Sequence, residues 1–240
     1  YGELINTYGY NLEPGSKELT ALNYYTNEEI TIPLDPTQTP GENAQRYFAK
    51  YNKQKRTFEA LTELIRETAD DIEYLESIGN ALDIALSEAD LAQIKEELML
   101  SGYIRRKHTK KKVKLTSKPM HYISSDGYDM YVGKNNLQNE ELTFSLANGN
   151  DWWFHAKGTP GSHVIVKSGG NELPDQTFEE AGRLAAYYSK NRGADKVEID
   201  YIQKKHVKKP NGAKPGFVVY YTNYSLVIDS DISNIKNVQD

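Results

Sequence analysis

The run Asp151-Trp152-Trp153-Phe154-His155-Ala156-Lys157, turned by Gly158-Thr159-Pro160-Gly161-Ser162-His163 and continued by Val164-Ile165-Val166-Lys167, holds both tryptophans and two of the five histidines of a 240-residue chain. It reads as two short strands around a tight Gly/Pro corner. Adjacent strand side chains face opposite ways, so Trp152, Phe154 and Ala156 share an apolar face, while Trp153, His155 and Lys157 share the other. That second row has two readings. Either Trp153 is half-buried, His155 is a satisfied polar neighbour and Lys157 is solvated, or the ring, imidazole and ammonium together form a ligand surface.

Working outward, residues 121–124 and 128–132 read as strands flanking the hairpin turn Ser125-Asp126-Gly127. Residues 142–147, 197–202, 217–222 and 225–228 read as further strands between Asn/Gly and Gly/Pro turns. One helix stands out: Pro174 near its start, Phe178, Ala181, Leu184, Ala185 and Tyr188 along a stripe, and Gly193 as its stop. Residues 119–240 are thus expected to form a compact, mostly antiparallel sheet domain. One sheet face should pack on the single main helix and the other stay open.

Upstream the pattern changes to that of an arm. Steps of three and four run without a slip through Ala44, Tyr47, Tyr51, Gln54, Phe58, Leu61, Ile65, Thr68, Ile72, Leu75, Gly79 and Leu82, the spacing of a coiled-coil seam. A helix of that length is about 58 Å long at about 1.5 Å per residue. Its acid-laced outer face (Glu59, Glu63, Glu67, Asp70, Glu73) excludes a buried core helix, and a lone amphipathic helix needs a partner alongside. Dimerisation through the arm is one way to supply it. Ser87 with Asp90 caps a second helix that ends at Gly102 and folds back on residues 72–84. Before the seam, residues 10–40 read as a small β excursion with a hairpin turn at Asn27, after which Pro33, Pro36 and Pro40 bar a helix until Gly41. The fold class is therefore α+β. Residues 1–104 make a helical coiled-coil arm with a small β tip and a helical hairpin, 105–118 a basic linker, and 119–240 the sheet domain.

The net charge of −5 hides a partition: residues 1–104 hold 8 Lys/Arg against 19 Asp/Glu, residues 105–118 hold 8 against none, and the remainder 13 against 15. The run from Arg105 to Lys118 is either a solvated linker or one that also touches phosphates. A second basic segment carries Lys204, Lys205, His206, Lys208, Lys209 and Lys214, with no acid between Asp200 and Asp229. Aromatic strand plus basic loop is the composition of a site for single-stranded or looped RNA, where rings stack on bases and ammonium groups take phosphates. The residues expected to bind RNA are Trp153, His155, Lys157, His163, Arg183, Lys204, Lys205, His206, Lys208, Lys209 and Lys214. Arg183 could equally pair locally on its helix.

Other chemistry fits less well. Without cysteine there is no disulfide framework and no Cys-bearing zinc site. Asp151, His155, His163 and His206 offer a thin ligand set with no spacing signature. Pro160 removes a donor from the Gly158–Gly161 turn and no helix follows it, so it is not a phosphate loop. No catalytic activity, metal or cofactor is expected. No apolar run approaches the length of a membrane span. The opening Tyr1-Gly2-Glu3, without methionine, reads as the start of a piece of a longer protein.

Three ordered blocks carry a resemblance: Ser124-Ser125-Asp126-Gly127-Tyr128-Asp129-Met130-Tyr131-Val132-Gly133-Lys134-Asn135-Asn136, then Asn150 to Lys157, then Pro160-Gly161-Ser162-His163-Val164. They resemble the RNA-binding domain of the bacterial Rqc2-homologue, or NFACT, family, long labelled fibronectin-binding protein A-like. Ile32-Pro33-Leu34-Asp35-Pro36, Glu42-Asn43-Ala44-Gln45-Arg46-Tyr47-Phe48 and the heptads after them resemble that family's middle coiled coil. The resemblance implies a cytoplasmic ribosome quality-control factor. Its partners would be large ribosomal subunits carrying peptidyl-tRNA, rRNA and alanyl-tRNA, and its work untemplated C-terminal alanine tailing of nascent chains. It also implies that the residues most tied to tailing lie in an N-terminal domain absent from these 240 residues. The older label implies a rival, fibronectin-binding role at the cell surface.

Overall fold

The computed structural model describes residues 1–105 and 117–238, which divide into two compact units, Tyr1–Asp70 and Asp71–Asp240. The first opens with helix α1 (Gly2–Tyr8), followed by the hairpin β1 (Glu18–Asn23) and β2 (Glu28–Pro33). Asn27 takes the left-handed turn conformation at φ 59°, which asparagine tolerates better than most residues. Residues 10–40 are more than an excursion. Leu19, Ala21, Ile32 and Leu34 close a core with Leu4 and Ile5 of α1 and with Ala44.

Ala44 belongs to α2 (Pro40–Ile84), which begins one residue before the expected Gly41. Pro40 occupies the first helical position, where a missing N–H costs nothing. Thr39 and Glu42 form a reciprocal cap: the Glu42 amide donates to Thr39 Oγ1 at 3.2 Å, and the Thr39 amide donates to Glu42 Oε2 at 2.8 Å. Among the described residues none of 45–73 is buried. The seam residues Tyr51, Phe58, Leu61 and Ile65 all face solvent, Ile65 with 68% of its surface exposed.

In the second unit the end of α2 pairs with α3 (Glu88–Leu100) around Tyr74, Ile78, Ala81 and Ile94. The fold-back on residues 72–84 is as expected, but the packed face is not the expected seam: Ile72, Leu75 and Leu82 stay exposed. Ser87 and Asp90 form the full capping box, and Gly102 adopts φ 82° past the last turn. Seven strands follow in one sheet: β3 (Met120–Ile123), β4 (Asp129–Val132), β5 (Trp152–Ala156), β6 (Val164–Val166), β7 (Val197–Gln203), β8 (Tyr224–Ile228) and β9 (Lys236–Asn237). Their order is β8-β7-β5-β6-β4-β3-β9, antiparallel at every step.

Two expected strands are something else. Residues 142–147 continue α4 (Asn136–Glu141) as a π-turn over Leu142–Leu146, closed by the Ala147 amide on the Leu142 carbonyl at 2.9 Å. The alternating Leu-Thr-Phe-Ser-Leu pattern imitates a strand. The Asn135 cap, whose Oδ1 accepts from the Gln138 amide at 3.0 Å, starts a helix ahead of it. Residues 217–222 hold only one bridge, Lys208 to Val219, and pass over the sheet without joining it.

That passage closes the face expected to be open. Helix α5 (Asp175–Tyr187) covers one side of the sheet, packing on Phe154, Ala156, Val164, Val166 and Ile199. On the other side Leu142, Ala147 and Val207, with Phe144, Val218 and Tyr220, cover Trp153, Ile165 and Ile202. The physical reason is area: a tryptophan and two isoleucines in a row present several hundred Å² of apolar surface, and burial at about 25 cal/mol per Å² outweighs leaving it wet.

Candidate nucleic-acid interface

Strand β5 splits its side chains as its parity requires, but the split has a different meaning from a ligand surface. Trp153 is 0% exposed, so the expectation that it stacks on a base is corrected. Its indole is walled by Tyr220 at 5.0 Å, His163 edge-on at 5.1 Å and His155 stacked at 5.7 Å. His163, 2% exposed, is corrected likewise. Its Nδ1 bonds Thr143 Oγ1 at 2.8 Å, and its backbone amide donates to Asn139 Oδ1 at 2.9 Å. Burial holds the His163 imidazole well below the ordinary histidine range, reinforced by the neighbouring His155. His155 keeps an edge in solvent, yet the protein packed round its ring brings it down to about 4. At neutral pH neither ring is a cation for phosphate. Both are polar pieces of a core.

The expected cations fall into two sets. Lys157 bonds Glu198 at 2.5 Å, and Arg183 pairs with Glu179 at 3.5 Å and Asp229 at 3.3 Å, the local pairing its helix position allowed. Lys209 bonds Glu140 at 2.7 Å. Lys214 pairs with Asp71, takes the Tyr103 hydroxyl at 2.9 Å and lies 4.6 Å from the Tyr74 ring centre, fastening the end of its loop to the helical hairpin. These four have carboxylate partners already in place.

The second set is Lys204, Lys205, His206 and Lys208. Among the described residues none of them takes a carboxylate partner. Lys204–His206 form a single 3₁₀ turn directly after β7. Its backbone is fixed: the Lys204 amide donates to the Asp151 carbonyl at 2.8 Å, the Lys205 amide to Gly149 at 3.0 Å, and Lys208 exchanges both bonds with Val219. Buried Val207 anchors the turn to the core beneath. Lys204 Nζ stands 5.5 Å from the ring centre of Phe144, on the π-turn, and Leu146 beside it is exposed. The result is a pre-positioned cationic ridge with an apolar shoulder, suited to a polyanion.

Sequence reasoning passed over the residues that hold this ridge. Asp151, weighed in the sequence for a metal or acid/base site, is a buried hub accepting from the Asn148 amide at 2.7 Å, the Ser168 amide at 3.0 Å and Lys167 Nζ at 2.5 Å. Asn followed three residues later by Asp, ahead of an aromatic strand, is the signal that marks it. Away from the ridge Asp90, read in the sequence as a helix cap, is also a hub, bonded to Lys134 Nζ at 3.0 Å and Ser117 Oγ at 2.5 Å. Burial alone would push Asp90 up. The Ser117 hydroxyl, the Leu86 amide and Lys134 outweigh it and bring the carboxyl down to about 2. The basic run of the linker lies at 106–116, outside the described residues, so its meeting with the ridge is not on view. Among the described residues no group of three or more His, Asp or Glu could hold a metal ion, and no helix is long and apolar enough to cross a membrane.

Fold and surface together define an α+β domain, an antiparallel sheet filled on both faces and edged by a fixed cationic turn, joined to a helical hairpin. The chain belongs to the NFACT family: residues 1–117 match the NFACT N-terminal and middle domains, and residues 118–222 the NFACT protein RNA binding domain. It is 43% identical over 239 residues, 99% of its length, to the Rqc2 homolog RqcH of Streptococcus pneumoniae serotype 2, and 43% identical over 242 residues to that of Bacillus subtilis strain 168. It spans 43% and 42% of those two proteins. It also matches the solved C-terminal structure of the fibronectin/fibrinogen-binding protein of Streptococcus suis, with TM-score 0.75 and 43% identity over 83% of this chain and 80% of that one.

Proposed function

We propose that this chain is the RNA-holding portion of a cytoplasmic ribosome quality-control factor. It engages large ribosomal subunits through rRNA and tRNA while C-terminal alanine tailing of the nascent chain proceeds. Relatives named Rqc2 homolog support the process, and the RNA-binding domain match supports the ligand class. The observation that carries the reading at atomic scale is the Lys204–Lys208 ridge, whose cations take no carboxylate partner among the described residues and whose backbone is already ordered. Such a surface supplies charge and orientation; no bond is made or broken by these residues, and the chain acts here without catalysis.

The test is binding of tRNA and of purified large subunits as a function of salt. Lys204→Ala, Lys205→Ala and Lys208→Ala combined should weaken binding and flatten the log-log salt slope by about 2 to 3 units, close to one for each phosphate no longer neutralised. Lys157→Ala and Arg183→Ala should change it little, because their charges are spent on Glu198, Glu179 and Asp229. The relative from Streptococcus suis is named for binding fibronectin and fibrinogen. Salt-tolerant capture of fibronectin with no affinity for RNA would replace the present reading with that one.

A further inference from the structure

Strand β8 ends the sheet, and its outer edge is unusually bare. The direction of its backbone groups follows from register. The Lys157 amide donates to the Glu198 carbonyl at 2.9 Å, so Glu198 of β7 turns its backbone toward β5. Backbone groups alternate along a strand, so Val197, Ile199 and Tyr201 turn theirs toward β8, where they face Ile228, Leu226 and Tyr224. Ser225 and Val227 therefore point N–H and C=O away from the sheet. No described strand lies beyond them.

Every other edge in the described residues carries a device against pairing. Strand β1 has Glu18, β2 has Glu28, Glu29 and Pro33, and β9 is two residues long and includes Lys236. Such charges, prolines and short lengths are how edges are kept apart. Strand β8, Tyr224-Ser225-Leu226-Val227-Ile228, has none of them. Tyr224 and Val227 are 61% and 62% exposed on its two faces.

We infer that this edge is the docking strand for a second copy of the chain, β8 pairing antiparallel with β8 across a twofold axis at Leu226. That register uses the whole strand and is self-consistent. Ser225 and Val227 of one copy exchange backbone bonds with Val227 and Ser225 of the other, four bonds in all. Tyr224 lies over the partner's Ile228, an aromatic with β-branched pair, and Leu226 meets its own copy. At the ends Asn223 faces the partner's Asp229, so no like charges oppose. Helix α5 packs on β5, β6, β7 and β8, so the two helix axes stand at least three strand spacings apart, about 14 Å. That exceeds the roughly 8–10 Å of packed helices and leaves no clash.

The test is solution mass of the chain against concentration, by sedimentation, for three proteins. The wild type should dimerise reversibly across the micromolar range. Val227→Lys should be monomeric with unchanged circular dichroism, since its side chain is exposed and its amide makes no bond to β7. Phe58→Glu with Ile65→Glu, on the helical seam, should dimerise like the wild type. Because the chain has no cysteine, Leu226→Cys should oxidise to a self-linked dimer, whereas Val227→Cys, off the axis, should not. A wild type that stays monomeric, or a dimer that survives Val227→Lys and is lost in the seam variant, would overturn the inference. An unlinked Leu226→Cys dimer would overturn the register.

Discussion

His155 illustrates how a single side chain changes meaning once its neighbours are known. On residue types it is a cation candidate; under the indole of Trp153 and against Gly161 it is a neutral core group. Its proton affinity is lowered on folding, so between pH 6.5 and about 4 the unfolded chain binds more protons than the folded one. Stability is then complete above pH 6.5 and lost as the pH falls through that window. A thermal unfolding series should record a falling midpoint below pH 6.5, with a shallower fall in His155→Gln. Trp153→Ala should cost about 3–5 kcal/mol, the range for emptying an aromatic core site. Its salt slope for RNA should stay intact in whatever fraction remains folded, and a changed slope would return Trp153 to the interface. Burial at this scale was not legible in the sequence. Parity correctly put Trp153 opposite Phe154, but parity says nothing about what later crosses the sheet.

Elements were read more faithfully than residues, and the reasons are local. The helix of α2, the Ser87/Asp90 box, Gly102 and the strands at 120–123, 152–156 and 197–203 all carry signals within a few residues of themselves, whereas the seam read along α2 stays exposed and Tyr74, Ile78 and Ala81 pack instead. The failures lie where local and tertiary signals disagree. Leu-Thr-Phe-Ser-Leu alternates like a strand but follows a capped turn of helix, and residues 217–222 are β-prone but cross the face of the sheet, holding only the Lys208–Val219 bridge. The Thr39/Glu42 cap was available in the sequence, hidden behind a proline taken as a barrier. Thr39→Ala should destabilise the start of α2 by about 1 kcal/mol, visible as faster amide exchange over residues 40–44. Of the interface, the lysine loop was legible as composition. Which of its lysines are occupied depends on Glu140 and Asp71, 69 and 143 residues away in sequence.

At the scale of the whole chain, two separate cores set what can fail independently. Ile32, fully buried, belongs to the core of the first unit, and Trp153 to one in the second. Ile32→Ala should cost about 2–4 kcal/mol locally, and hydrogen exchange should then speed up in β1, β2 and α1 while β5 to β7 keep their protection. Equal loss in both units would mean that their stabilities are tied. Charge is partitioned as well: the acids crowd residues 1–104, and the ridge cations sit beyond residue 203.

The π-turn at Leu142–Leu146 amounts to one surplus residue in a helical wheel. Deleting Ser145 would subtract that residue and let the same Ala147 amide close on the Leu142 carbonyl as an ordinary α-turn. Leu142 and Ala147 would keep their bearings, while Phe144, inside the tightened turn, would slide from beneath Lys204. A one-codon deletion would thus leave the sheet whole and every lysine present, yet misalign the ridge with its apolar shoulder.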